Sequence, residues 1–177
     1  MNYQEQINEL NKEIEIIISK AINDGYRMSK AGDLVKDDKI PVLEVFCQHR
    51  TDEESYGKFV FSRGLLPLTS EQLKEILSKK PSDILDDDAT NMFICEIEDL
   101  FFSNIKYYNL CSQLQEVNKY KWYEDEWLED DRELFCVELE SIYGIYHGYI
   151  SLVMMTEDEL EKEEEFDIYF KKFITFN

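Results

Sequence analysis

Few residues of this 177-residue chain combine a type and a spacing that could support catalysis. Its two histidines, His49 and His147, have neither the spacing of a metalloprotease motif nor a cysteine pair nearby. Cys47 precedes His49 by two residues, which would put both side chains on one face of a strand. Nucleophilic cysteine–histidine pairs normally come from segments distant in sequence, so this adjacency is poor support for a catalytic pair.

Carboxylates are the other candidates for chemistry. The segment Met92–Glu98 is predicted to be a strand, which would place Glu96 and Glu98 on one face about 6.7 Å apart. Such a pair could hold Mg²⁺ or act as the acid and base of a glycosidase, although an exposed strand face is the commoner explanation. Asp86–Asp88 begins like a calcium loop, but the required glycine and final glutamate are missing, which excludes an EF-hand.

Glycines do not supply a phosphate-binding loop either, because the six in the chain match no nucleotide-binding spacing. The motifs therefore predict a protein without a cofactor or a metal ion, and one that is not an enzyme.

Charge is the strongest signal in the sequence. The chain has 39 acidic and 19 basic residues, a net charge of −20, and residues 121–177 carry −12 of it. Glu124–Glu140 holds nine acids against Arg132, and Glu157–Asp167 holds eight acids against Lys162. A net charge of about 2–8 in magnitude suffices to keep a small domain soluble, so the excess suggests a function.

An ordered acidic surface can compete with nucleic acid for a basic groove. DNA presents one charge per roughly 1.7 Å of duplex axis, and fixed carboxylates offer a basic groove similar electrostatic complementarity. Neighbouring aromatic side chains can act as buried anchors. The predicted partner-binding residues are Tyr123, Glu124, Asp125, Glu126, Trp127, Glu129, Asp130, Asp131, Glu138, Glu140, Glu157, Asp158, Glu161 and Glu164.

The leading hypothesis is a non-enzymatic inhibitor that binds a basic nucleic-acid-processing enzyme, as phage anti-restriction or anti-CRISPR nucleic-acid mimics would. One alternative is an immunity protein that neutralises a nuclease toxin. Another is a carboxylate-metal enzyme built on Glu96, Glu98 and a distant acid. The acidic segment could also be only a solvated loop over the core, with Trp127 and Leu128 pointing inward. Direct binding to nucleic acid or to an anionic membrane is not expected, because both would repel this chain.

The cellular compartment is predicted to be the cytosol of a bacterium or a phage-infected host. The N-terminus lacks the pattern of a signal peptide, and no segment has the length and hydrophobicity of a membrane span. Cys47, Cys95, Cys111 and Cys136 show no paired spacing and sit among apolar residues, which predicts buried free thiols. Only three alanines stand against seventeen isoleucines, a composition typical of an A/T-rich genome.

The first half of the chain predicts a helix, two strands and a second helix. Residues 3–24 form an amphipathic helix with apolar residues at 3–4 spacing, ending before Gly25. Residues 26–40 are predicted to be irregular. Strands are expected at 42–48 and 58–62. Gly64 and Pro67 are expected to interrupt regular structure before a helix capped by Thr69.

The second half predicts a helix over Leu100–Asn118, a loop or short helix over Trp122–Asp131, and a strand over Glu133–Ser141. Its hairpin partner is Gly148–Met155, with a turn at His147, followed by a helix from Thr156 to about Lys172.

The order of these elements predicts one α+β domain over residues 1–177. It has an N-terminal amphipathic helix and antiparallel β-hairpins that are each followed by a helix. The similar element order of residues 42–80 and 133–172 could reflect a weak internal repeat, but few residues match, and chance convergence also explains it.

Overall fold

The computed structural model describes residues 2–50, 59–80, 87–104, 107, 120–123, 133–140 and 146–164. Together they form the predicted α+β domain. The elements are α1 (Tyr3–Asn23), β1 (Arg27–Met28), β2 (Leu34–Val35), β3 (Lys39–Arg50), β4 (Phe59–Pro67), α2 (Ser70–Lys79), α3 (Asp87–Phe102), β5 (Tyr120–Tyr123), β6 (Glu133–Glu140), β7 (Tyr146–Thr156) and α4 over residues 157–164.

A five-stranded antiparallel sheet in the order β4-β3-β7-β6-β5 forms the centre of the domain. The hairpin β3–β4 leads into α2 and the hairpin β6–β7 leads into α4, so both predicted β-hairpin–helix units are confirmed. The two hairpins join through β3 and β7, whose register runs from Lys39↔Thr156 to His49↔Tyr146. Within the described residues, β4 and β5 are the edge strands.

Both faces of the sheet are covered, because successive side chains of a strand point to opposite faces. Leu43 and Val45 pack into a core with residues of α2 and α3 on one face. Ile40 and Val42 pack with Leu160 of α4 and Val35 on the opposite face. Helix α4 therefore lies on the side of the sheet away from α2 and α3.

Helix α3 corrects the prediction of a strand at Met92–Glu98. Its buried residues Phe93, Ile94, Ile97 and Phe101 recur at the spacing of one helix face. The strand prediction was wrong because a short apolar run fits either period. The predicted helix Leu100–Asn118 overlaps α3 only at its first three residues, because α3 ends at Phe102. Most of the rest of that predicted segment lies outside the described residues.

Glycine and proline also misled the prediction of strand ends. Gly64 and Pro67 lie within β4, where Pro67 closes an edge strand and needs no ladder partner for its nitrogen. His147 lies within β7 rather than in a turn, because β7 begins at Tyr146, two residues before the predicted start at Gly148. A Cβ atom on Gly148 would come within 2.1 Å of the carbonyl oxygen of Phe46, so the close approach of β3 and β7 requires glycine there.

Two further segments are more regular than predicted. Residues 26–40 contain the short antiparallel ribbon β1–β2. Trp122 and Tyr123, predicted in a loop or short helix, belong to β5 and pair with β6. The structure therefore extends the sheet to the start of the acidic aromatic segment.

Candidate functional site

Helix α4 forms the described part of the second acidic segment. It has six acidic residues and one basic residue over residues 157–164. A capping box fixes its start: Thr156 Oγ1 accepts a hydrogen bond from the Glu159 N–H at 3.2 Å, and Glu159 Oε2 accepts one from the Thr156 N–H at 2.8 Å. Leu160 is fully buried against the sheet. This anchor sets the rotation of the helix, and Asp158 and Glu161 face solvent.

Basic residues around the β1–β2 ribbon neutralise part of α4. Arg27 Nη1 lies 2.8 Å from Glu157 Oε2. The other carboxylate oxygen of Glu157, Oε1, accepts a hydrogen bond from the Lys30 backbone N–H at 3.0 Å. The Lys30 ammonium lies 3.3 Å from Glu161 and 3.7 Å from Glu164. Exposed ion pairs of this kind contribute about 0–1 kcal/mol each, so a basic partner can replace them at little cost.

A second set of charges links α4 to the sheet, and its two members on the sheet, Glu44 and Arg63, are less exposed. Arg63 of β4 donates from Nε to Glu44 Oε1 at 2.5 Å and from Nη1 to Glu163 Oε2 at 2.5 Å. The Tyr149 hydroxyl donates to the same Glu44 oxygen at 3.1 Å. The Glu44 side chain is only 9% exposed. We call Glu44, Arg63, Tyr149 and Glu163 the sheet network; it positions α4 on the sheet.

Two members of the sheet network, Arg63 and Tyr149, keep their protons near neutral pH. Burial opposes the charge of Arg63, but Glu44 and Glu163 outweigh burial and raise the pKa of the guanidinium. Burial, and then the charge of Glu44, raise the pKa of Tyr149 well above its ordinary value, so the phenol stays protonated and donates. A fixed ion pair with a neutral donor is a structural arrangement rather than an acid and base for catalysis.

Glu138 of β6 lies on the same side of the sheet as α4. In the ladder, Glu138 is opposite Tyr149, Tyr149 is opposite Phe46, and Phe46 is opposite Arg63. Directly opposed residues share a face, and the rings of Phe46 and Tyr149 stack with centroids 5.3 Å apart. Because Arg63 also binds Glu163 of α4, one side of the sheet carries acids from both segments of high charge.

The other predicted site residues divide into two groups. Tyr123 ends β5 opposite Cys136, and Glu140 ends β6 opposite His147. The remaining seven lie outside the described residues: Glu124, Asp125, Glu126, Trp127, Glu129, Asp130 and Asp131. The geometry thus places Glu138 on the same side of the sheet as the α4 acids Glu157, Asp158, Glu161 and Glu164.

The sheet network was not predicted from the sequence. One signal was present: Glu44 lies two residues from Val42 and two from Phe46 along a strand. This spacing puts all three on one face, so a carboxylate stands on an otherwise apolar face. Such an acid needs a basic partner when it is buried. The partner, Arg63, is identified only by the register of β3 with β4.

The predicted pair of Glu96 and Glu98 does not exist in the expected geometry. Both lie on helix α3, where residues two apart point in nearly opposite directions. Glu96 binds the Lys79 ammonium at 3.0 Å, beside a cavity of about 340 Å³ between α2 and α3. The hydrogen bonds that the ammonium donates to Glu96 and then to Glu75 raise the pKa of Lys79. Burial, and then the charge of Asp99, raise the pKa of Glu98.

Metal-ligating groups do not converge in the described ranges, where no three His, Cys, Asp or Glu side chains are placed to hold one ion. Cys47, Cys95 and Cys136 are not joined in disulfide bonds within the described residues. Cys47 is buried as predicted, whereas Cys95 is exposed because it lies on the outer face of α3 rather than on a strand. Cys111 lies outside the described residues.

In the part of the chain that the structure describes, none of the helices has the length and apolar character needed to cross a bilayer.

Comparison with known proteins assigns no family or function to this arrangement of residues. No protein-family model, no curated protein and no solved structure matches the chain.

Proposed function

We propose that this protein is a non-enzymatic inhibitor that binds a basic nucleic-acid-processing enzyme and competes with DNA or RNA. The carrying observation is an excess of carboxylates that the chain cannot neutralise. With 39 acidic and 19 basic residues, a net of −20 remains even if every base pairs with one acid. This excess favours a basic protein as the partner.

Several of the described bases are already committed to acids of the same chain. Lys30, Arg63 and Lys79 each contact two carboxylates, so they leave little positive charge for any further acid. The capped and anchored helix α4 keeps its acids at a fixed spacing. Asp158 and Glu161 are about 4.5 Å apart along its axis, a rise comparable with the roughly 3.4 Å of duplex axis per phosphate of one DNA strand.

Binding would begin with long-range attraction and end with exchange of ion pairs. The negative field steers a basic groove towards the side of the sheet that carries Glu138 and α4. Lysine or arginine side chains of the partner then replace Lys30 at Glu161. The sheet network stays intact and holds α4 in position, while the predicted anchors Tyr123 and Trp127 add apolar contact.

The proposed partner is a nuclease or a CRISPR effector in the cytosol of a bacterium or a phage-infected host. Direct binding to nucleic acid is not part of the proposal, because two polyanions repel each other. An immunity protein acting on a nuclease toxin would use the same surface, and the identity of the captured partner separates these two roles.

The test is affinity capture from bacterial lysate at low and physiological salt, followed by kinetics with the captured protein. We expect a basic nucleic-acid enzyme that a duplex oligonucleotide displaces, with association that slows steeply as salt rises. Reversing Asp158 and Glu161 to lysine should slow association by about tenfold or more at low salt. Reversing Glu129, Asp130 and Asp131 tests the other acidic segment in the same way.

Glu75→Lys is the matched control for Glu161→Lys. Both glutamates are 63% exposed and each contacts one lysine ammonium, at 3.1 Å for Glu75 and 3.3 Å for Glu161. Glu75 lies on α2, across the sheet from α4. Equal effects of the two reversals would show that only net charge matters. Two results would overturn the proposal: an association rate that does not change with salt, or a partner that binds the protein and the oligonucleotide at the same time.

A further inference from the structure

Helix α1 presents an apolar face that no described part of the chain covers. Ile7, Leu10, Ile14 and Ile17 are 49–62% exposed, and Tyr3, one turn earlier on the same face, is 85% exposed. No residue of α1 is buried. Single exposed apolar residues are normal, but a continuous stripe along a 21-residue helix marks a contact surface.

The helix is nevertheless fully formed and capped at both ends. Asn2 and Glu5 form a capping box, with hydrogen bonds of 2.9 and 2.8 Å. At the other end Gly25 has a φ of +88°, and the Tyr26 N–H donates to the Ala21 carbonyl at 3.0 Å. Most helical stability in proteins comes from packing of the apolar face, so a helix this regular calls for a partner surface.

We propose that α1 of a second copy of this chain covers the face, forming a two-stranded coiled coil. The apolar residues alternate at spacings of four and three over about three heptads, which is the spacing that supercoiled helices require. The a positions are Ile7, Ile14 and Ala21, and the d positions are Tyr3, Leu10 and Ile17.

The charges of α1 favour a second copy over a basic partner. Glu5, Glu9 and Glu15 occupy f, c and b positions, away from the seam. Of the six e and g positions that flank the seam, only Glu13 and Lys20 are charged. Two copies can therefore bring these helices together with few carboxylates in contact, whereas the acids that would attract a basic protein lie on α4.

The exposed apolar area is sufficient for a pair of helices. Burying an aliphatic side chain contributes about 1.5–3 kcal/mol at about 25 cal/mol per Å², which corresponds to roughly 100 Å² per side chain. The five exposed side chains of the seam then supply roughly 500 Å² per copy and about 1,000 Å² for the pair. Specific interfaces start at about 1,000 Å², so the dimer is expected to be stable but reversible.

The test is the mass of the full chain in solution, measured by sedimentation equilibrium between about 1 and 100 µM. We expect a monomer–dimer equilibrium in which the dimer gains population as salt rises. Salt screens the repulsion between two molecules of charge −20 and does not weaken apolar contact. This response is opposite to that of the proposed basic partner, so the two proposals can fail separately.

Two substitutions with equal change in charge and volume localise the contact. Ile14→Asp places a charge in the seam and should weaken dimerisation at least about 100-fold, since a buried unpaired carboxylate costs several kcal/mol. Ile16→Asp alters a c position that is 68% exposed and points away from the seam, and it should change the dimer affinity less than about threefold.

Three results would overturn the inference. The first is a chain that stays monomeric at about 100 µM and physiological salt. The second is a dimer that Ile14→Asp does not weaken more than Ile16→Asp. The third is a concentration-independent loss of unfolding free energy in Ile14→Asp, which would mean that another part of the same chain covers the face. Circular dichroism of each variant checks that α1 and the sheet remain folded.

Discussion

Helices α1 and α4 begin in the same way and end up in different environments. Each opens with a capping box, formed by Asn2 and Glu5 in α1 and by Thr156 and Glu159 in α4. Yet α4 buries Leu160 completely against the sheet, whereas α1 buries no residue. The difference teaches that an amphipathic pattern predicts a covered face without specifying what covers it.

The largest expected contrast comes from truncating one apolar residue in each helix. Leu160→Ala should lower the free energy of unfolding by about 2–5 kcal/mol, because it removes buried methyl groups and leaves a cavity. Ile14→Ala, measured at a protein concentration where the chain is monomeric, should cost less than about 1 kcal/mol. Urea unfolding followed by circular dichroism measures both. Similar losses would mean that α1 is packed within its own chain.

The sheet network gives the next contrast, since it links α4 to the sheet. Arg63→Met leaves the Glu44 carboxylate buried without its cation and should cost about 2–3 kcal/mol, below the 3–5 kcal/mol of fully buried pairs because Arg63 is 21% exposed. The more exposed pair of Lys79 with Glu75 serves as the control, and Lys79→Met should lower the free energy of unfolding much less than Arg63→Met. Combining Arg63→Met with Glu44→Met should restore most of the loss. Failure of that rescue would contradict the assigned pairing.

Loss of the caps should affect the two helices differently. Thr156→Ala should lower the global free energy of unfolding by about 1 kcal/mol, because α4 unfolds together with the sheet it packs on. Asn2→Ala should leave the global value within about 0.5 kcal/mol and only speed amide exchange in the first turn of α1. Denaturant unfolding and hydrogen exchange together measure these effects. A global loss from Asn2→Ala would show that α1 belongs to the cooperative core.

The smallest effect appears only at alkaline pH. The pKa of Tyr149 is raised in the folded state above its ordinary value of 10.0. The stability that Tyr149 contributes is therefore complete below about pH 10 and is lost as pH rises above it, because the unfolded chain releases the proton first. Tyr149→Phe should show a shallower decline in the urea midpoint between about pH 9 and 11 than the unsubstituted chain. Identical slopes would place the hydroxyl outside the sheet network.

Local patterns in the sequence predicted much of the fold. Helix α1, the hairpin β6–β7 and the caps at Thr69 and Thr156 follow from periodicity and capping residues within a few positions of each other. Helix α3 was missed although Phe93, Ile97 and Phe101 recur at helical spacing, because the shorter segment around Glu96 also alternates. A turn was predicted at His147 because the role of the neighbouring Gly148 depends on a strand about 100 residues away.

The candidate site shows the same division between local and distant information. The acidic character of residues 157–164 can be counted in the sequence, and Thr156 predicts that they form a helix. Which acids remain exposed could not be predicted. Lys30 and Arg63 meet the glutamates of α4 across separations of about 100 residues or more, and these contacts exist only after the sheet has formed.

The pairing of β3 with β7 also has a consequence for the speed of folding. Each hairpin can form from neighbouring segments, but the centre of the sheet joins Lys39 to Thr156 and His49 to Tyr146. Closing a loop of about 100 residues costs roughly 4 kcal/mol of chain entropy before any contact between the hairpins repays it. Folding should therefore be slow for a chain of this size. During synthesis, the inner edge of β3 must wait without its partner until β7 has left the ribosome.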